Sequence, residues 1–275
     1  MTNEMPPTEV KSENKIVGWI QNYSFSIIAL IVVFILWEVI VKVADVKTYI
    51  LPAPSLIIGD IVDKFGLLVR YSLVTGWEIL LGYLLSIIVG IPLGLAIFYS
   101  KFLERIIYPF LVISQTIPKI ALAPLLILWL GWGIMPKIIV AFLIAFFPIV
   151  VDTVVGLKNT EPEMIHLVRS MGASRAQTFF KISLPNALPN IFGALKVAST
   201  LAVVGAVVGE FVASDSGLGY LLVVSQGYLD TTMMFAGIFF LSLLGIIFFF
   251  IIEILERIAI PWKVEKEGFL RNVTM

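Results

Sequence analysis

The sequence predicts an all-α integral membrane protein with six transmembrane helices. Of its 275 residues, 59% are apolar and only 14% charged, whereas a soluble domain is about a quarter charged. The mean hydropathy is +1.02. Six stretches reach the roughly 20 apolar residues that a helix needs to cross a bilayer: about Ser24–Val43, Leu73–Tyr99, Ile106–Leu130, Ile134–Gly156, Leu188–Ala213 and Met233–Ile258.

Composition also excludes whole classes of chemistry. The 19 basic and 19 acidic residues cancel, which argues against a nucleic-acid surface. With no cysteine and a single histidine, His166, disulfides, thiolate sites and multi-histidine metal sites are ruled out. No G-x-x-x-x-G-K-[ST], H-E-x-x-H or G-x-S-x-G occurs. His166 has no nucleophile or carboxylate dyad in a matching motif.

Residues 1–23 are polar, with Glu4, Glu9, Lys11, Glu13 and Lys15. No short apolar core with a small-residue cleavage site follows, so no signal peptide is expected and span one stays as an anchor. Glu38 and Lys42, at i,i+4, form a helix pair near its outer end. "YILPAPSLIIGDIVDKFG" then breaks at Pro52 and Pro54, and Ser55 is expected to cap a short amphipathic helix on the outer face. Span three carries Lys119 beside Pro118, near mid-membrane, where an ammonium costs about 2.5–3.5 kcal/mol on insertion scales. Two readings stand side by side: a cation lining a path for anions, or a charge paired inside the bundle or set off centre by a broken helix. "GWGIMP" joins spans three and four in a tight outer hairpin. Span five holds Gly205-x-x-x-Gly209, a close-packing pattern, then Glu210 at its outer edge, where a core-packing role is favoured over a gate at the outer mouth and solvent contact is cheap. Lys196, near its inner end, is expected to snorkel. Trp19, Trp37, Trp129, Trp132 and Trp262 fall near interfaces as belt residues.

Orientation follows from the positive-inside rule. Lys101 and Arg105, then Lys158, Arg169, Arg175 and Lys181, then Arg257, Lys263, Lys266 and Arg271 mark the inner side. The stretch 214–232 has Asp215 and Asp230 and no Lys or Arg. Lys47, Lys64 and Arg70 oppose this, diluted by Asp45, Asp60 and Asp63. Both termini are therefore expected inside: a cytoplasmic segment 1–23, a transmembrane domain 24–260 and a cytoplasmic tail 261–275.

Between spans four and five lies "EMIHLVRSMGASRAQTFFKISLPNALPNIFG", residues 163–193, unusually polar for this chain. Thr160-Glu-Pro-Glu163 reads as a capping box, with Pro162 in the first turn. A helix of about eleven residues follows, with Met164, Ile165, Val168 and Met171 on one face, and meets Gly172, suited to a left-handed C′ position. Ser174-Arg-Ala-Gln177 repeats the capping box, and the second helix is expected to stop near Ile182 because Pro185 follows. A lipid-facing loop helix needs no pair of caps and no glycine elbow. The pattern at about 160–184 is that of a structured inner platform.

This stretch resembles the cytoplasmic loop of binding-protein-dependent ABC importer permeases, E-A-A-x3-G-x9-I-x-L-P. Gly172, Ile182, Leu184 and Pro185 match; His166, Leu167 and Val168 stand where E-A-A would be. "LPAPS", "GYLLSIIVGIPLGLAIFYS", "IPKIALAPLLILWLGWG", "FFPIVVDTVVGL" and "VGEFVASDSGLGYLL" resemble the nitrate, sulfonate, taurine and bicarbonate branch of those permeases, whose members usually carry Arg where Glu78 stands. The resemblance implies type I ABC importer permease architecture in a bacterial inner membrane and a homodimer of permeases. It also implies two cytoplasmic ATPase subunits that bind ATP and Mg, and an extracytoplasmic binding protein. The chain itself would carry no cofactor and no enzymatic activity. Glu163, His166, Arg169, Gly172, Ala173, Ser174 and Arg175 would couple to the ATPase; Pro118, Lys119 and Glu210 would border the path. The solute would be a small organic molecule, a sulfonate-like anion or a vitamin-precursor heterocycle. The competing class, a stand-alone secondary transporter, should show inverted repeats and paired intramembrane ionisable groups; no repeat is evident, and Lys119 has no acidic partner at its depth. An intramembrane enzyme is the less favoured alternative.

Overall fold

The computed structural model describes residues 15–262; side chains of residues 15–24, 26 and 213 are outside that description. Most of the expected N-terminal segment and C-terminal tail, and the Trp19 side chain, therefore lie beyond it. The helices are α1 (Lys15–Val43), α2 (Pro54–Asp63), α3 (Phe65–Tyr99), α4 (Lys101–Ser114), α5 (Ala123–Leu130), α6 (Ile134–Lys158), α7 (Pro162–Ser170), α8 (Arg175–Thr178), α9 (Leu184–Ala213), α10 (Leu218–Gly227) and α11 (Thr231–Ala259). Among the described residues there is no strand.

Among the described residues, four helical runs are long and apolar enough to cross a membrane: α3, α6, Arg175–Val212 and α11. Expected spans two, four, five and six fall on them. Span one falls on α1, whose side chains from Ile27 to Ile35 are exposed as lipid-facing residues would be. Span three is not one straight helix. Its halves, Lys101–Ser114 and Lys119–Leu130, meet at 88°. The break has a local cause: Pro118 lacks an N–H and is extended at φ −68°, ψ 94°. Beside it Ser114 and Thr116 hydroxyls donate back to the carbonyls of Leu111 and Ile113. A one-turn 3₁₀ segment, Lys119–Leu122, then leads into α5.

The core is α6 clasped between α3 and α9. Small residues allow this. A β-carbon on Gly205 would lie 2.5 Å from the Ala141 Cα, and one on Gly209 would lie 2.8 Å from the Lys137 Cα, so these backbones touch with no side chain between them, as the Gly205-x-x-x-Gly209 pattern predicts. Ala141, Ala145, Ala198, Ala202 and Ala206 continue the seam, with Ile79, Tyr83 and Ile149 from its flanks. The Tyr83 hydroxyl donates to the Leu195 carbonyl at 2.9 Å. In lipid, close van der Waals packing and such bonds replace the hydrophobic drive between helices.

The cap of α2 differs from expectation. Ser55 does not cap α2; Ala53 holds that place without a side-chain bond. Instead the Glu38 carboxylate reaches over from α1 to accept from the Ser55 N–H at 3.0 Å and its hydroxyl at 2.7 Å, while pairing with Lys42 at 2.6 Å. An acid supplied from a neighbouring helix satisfies the N-terminal donors and suits the helix dipole. The interfacial Trp37 packs on Phe34 and Phe235, whereas Trp129 and Trp132 are exposed. Between spans five and six, α10 tucks Leu218, Leu221 and Leu222 against its neighbours.

Candidate functional site

The platform at 160–184 is built as the sequence predicts at its elbow and differently at its ends. Gly172 has φ +86°. Its N–H bonds the Arg169 carbonyl at 3.0 Å, and the next N–H, of Ala173, bonds the Val168 carbonyl at 3.2 Å. This is the paired 5→2 and 6→1 closure that a left-handed C′ residue completes. The second capping box forms: Ser174 Oγ accepts from the Gln177 N–H at 3.2 Å, and the Gln177 side chain accepts from the Ser174 N–H at 2.8 Å. The first does not. Glu161 is the cap residue of α7, without a side-chain bond, and the Thr160 hydroxyl is buried with no hydrogen-bond partner.

Nor does the second helix stop before Pro185. A wide π-turn, Phe179–Ser183, carries α8 into α9. An extra residue per turn moves the Lys181 carbonyl away from the Pro185 ring, which would otherwise clash with it. From Arg175, past the elbow and its non-helical Ala173-Ser174, continuous helix therefore runs to the core.

Glu163, His166, Arg169, Ser174 and Arg175 are all exposed on this platform, and Ala173 is half-buried. The expected apolar face divides: Ile165 and Val168 turn partly inward, while Met164 and Met171 are 44% and 79% exposed, and Leu167, outside that face, is 62% exposed. Charged residues ringing exposed apolar ones make a surface suited to protein contact.

Lys119 is half-buried at the bend of span three, its Nζ 4.5 Å from the centroid of the Phe147 ring. No ion pair among the described residues includes it. Pro118 beside it is exposed. Lys196 departs from the snorkelling expectation: it ties α9 to α11 through Glu253 at 2.8 Å and Glu256 at 2.5 Å.

Glu210 also departs from expectation. It is 1% exposed, away from solvent, and its carboxylate accepts from the Thr75 hydroxyl at 2.7 Å and from the Gly219 N–H at the start of α10. Thr75 in turn accepts from the Leu218 N–H at 2.8 Å. Gly217, at φ +104°, leaves room for this, since a β-carbon there would strike the carboxylate. Next to Glu210 lies a buried pair that sequence reasoning missed: Lys137 Nζ is 2.5 Å from Glu78 Oε1 and donates to Ser214 at 2.9 Å. Glu78 is fully enclosed and Lys137 nearly so. Each lies a few residues from one end of its span, the end expected to be outer, as does Glu210. That shared depth was a usable signal.

Residues 82–259, more than half of the chain, match the family described as binding-protein-dependent transport system inner membrane component. The chain belongs to that family of permeases. Among curated relatives, this permease is 40% identical to the formylaminopyrimidine transport permease protein ThiX of Halalkalibacterium halodurans, over 85% of this chain and 93% of that one. It is 36% identical to the riboflavin transport system permease protein RibX of Chloroflexus aurantiacus, over 86% and 89%. To the putative aliphatic sulfonates transport permease protein SsuC of Bacillus subtilis it is 30% identical, over 86% and 87%. A chain of the inward-facing MetNI methionine ABC transporter shares the fold, with TM-score 0.62 at 23% identity over 71% of this chain and 97% of that one. The protein is thus a multi-pass ABC importer permease, and a transport protein, not an enzyme.

Proposed function

We propose that this permease forms the translocation path of an ATP-driven importer and couples it to a separate ATPase through the platform at 160–184. Two ATPase subunits, which bind the ATP and Mg, dock on the face bearing Glu163, His166, Arg169, Ala173, Ser174 and Arg175. A second copy of the chain completes the path, an extracytoplasmic binding protein delivers the solute, and both termini lie inside. The observation that carries the reading is the Gly172 elbow: an exposed, twice-anchored turn followed from Arg175 by continuous helix into α9, so that a push on the platform reaches the core. Pro118 and Lys119 border the path at the bend of span three. Glu210, being enclosed, acts there by bracing α10. The solute is a small organic molecule, either a sulfonate-like anion or a vitamin-precursor heterocycle, as the names of the relatives suggest.

The test is Gly172→Val. A β-branched residue at φ +86° is strained by more than the roughly 1–2 kcal/mol that an ordinary L-residue meets in the left-handed region, while nothing lies within 4 Å of the new β-carbon. Membrane insertion should be normal, and ATP hydrolysis in vesicles should no longer drive uptake. Unimpaired uptake would refute the coupling role.

A further inference from the structure

Beside the buried cluster is a cavity of about 440 Å³ whose lining includes Glu78, Trp132, Lys137, Ser214, Asp215 and Ser216. Its size is within the range of small-ligand sites, roughly 300–1,000 Å³. Its chemistry is uneven. The one cation of the wall, Lys137, is already paired with Glu78 at 2.5 Å and bonded to Ser214, and the Glu210 carboxylate lies behind it, interacting with both Glu78 and Lys137. Exposed in the lining are Asp215, whose described bond is from the Ser216 hydroxyl at 3.2 Å, and Trp132, 79% exposed.

Among the lining residues two acids, Glu78 and Asp215, stand beside one ammonium. The contrast with the inner cluster is telling: there Lys196 and Arg257 together balance Glu253 and Glu256. The outer cavity keeps an excess of acid beside an open aromatic face. Such a wall repels an anion, holds a cation or an amino group by charge-assisted hydrogen bonding, and stacks a ring.

We infer that this cavity is a subsite for the solute, and that it takes a small amino-bearing heterocycle, neutral or cationic, stacked on Trp132 with its amino group on Asp215. Glu78 and Lys137 act as the closed floor that denies a sulfonate the use of the lysine. The inference rests on the importer reading, with the cavity on its outer side, and chooses between the two solute classes left there.

The test uses the permease assembled with its ATPase in lipid nanodiscs, titrated with 4-aminopyrimidine, 4-aminopyridine and methanesulfonate while tryptophan fluorescence is followed. The amino rings should give a saturable change that Trp132→Phe abolishes and Asp215→Asn weakens about tenfold, the worth of a charge-assisted hydrogen bond; methanesulfonate should give none. Saturation by methanesulfonate, or amino-ring binding unaltered by Asp215→Asn, would overturn the inference. So would an Asp215→Asn complex that binds the rings normally but loses stimulation by the binding protein, which would assign the cavity to protein docking. ATP-driven uptake by the wild type, measured alongside, keeps the importer reading separate: uptake with no ring binding sinks the subsite alone.

Discussion

Lys137 shows how much a single residue decides in this chain. Its ammonium is almost enclosed and 2.5 Å from an enclosed carboxylate, with a second, Glu210, close by. Removing one member of a buried pair typically costs about 3–5 kcal/mol because the other charge is left uncompensated, whereas replacing both by apolar residues is often neutral. Lys137→Met should therefore lower thermal stability in detergent sharply, and the double variant Lys137→Met, Glu78→Leu should recover most of the loss. A double variant as unstable as the single one would show that the pair contributes through more than mutual compensation. At this scale the sequence was legible where chemistry is local. Gly172 and the Ser174–Gln177 box are settled by their own neighbours, and they form as read. Ser55 and the solvent contact expected of Glu210 were misread because the partners are distant in sequence: Glu38 serves the start of α2 from seventeen residues away, and Thr75 reaches Glu210 across 135.

Among the elements, the seam of α6 and α9 depends on absence of bulk. With the Gly205 β-carbon position only 2.5 Å from backbone of α6, no rotamer of a larger side chain avoids the contact, and the helices must separate. Gly205→Leu should cost more than the 1–3 kcal/mol typical of overpacking, seen as a lower melting temperature and poor recovery of folded protein. The same change at Gly193, where a β-carbon meets nothing within 4 Å, is the control and should be tolerated. Equal loss at both sites would mean that helix propensity, not close approach, governs. Hydropathy placed these helices well because length and apolarity are properties of one segment. It could not show that span three bends by 88° or that a π-turn carries α8 past Pro185, since a proline announces a missing donor but not how the chain accommodates it.

For the whole molecule, the bend in span three matters because it sets Lys119 at a half-buried position without an ionic partner among the described residues, against the Phe147 ring at 4.5 Å. The other enclosed lysines, Lys137 and Lys196, are both paired. An ammonium retained at membrane depth with only an aromatic face for company is costly unless water or solute reaches it. The platform is some forty residues further along the chain, so the two roles separate cleanly by mutation. Lys119→Met keeps the approximate volume and removes the charge. If Lys119 borders the path, uptake in reconstituted vesicles should fall about tenfold or more while the ATPase still copurifies, because the α7–α8 surface is untouched. An aminoheterocycle needs no cation to attract it, so on the solute reading above the loss should appear in the maximal rate of transport, through hydration and shape of the path, with little change in half-saturation. A selective rise in half-saturation for anions would instead make Lys119 an anion-attracting residue, and unaffected uptake would reduce it to a packing role at the bend.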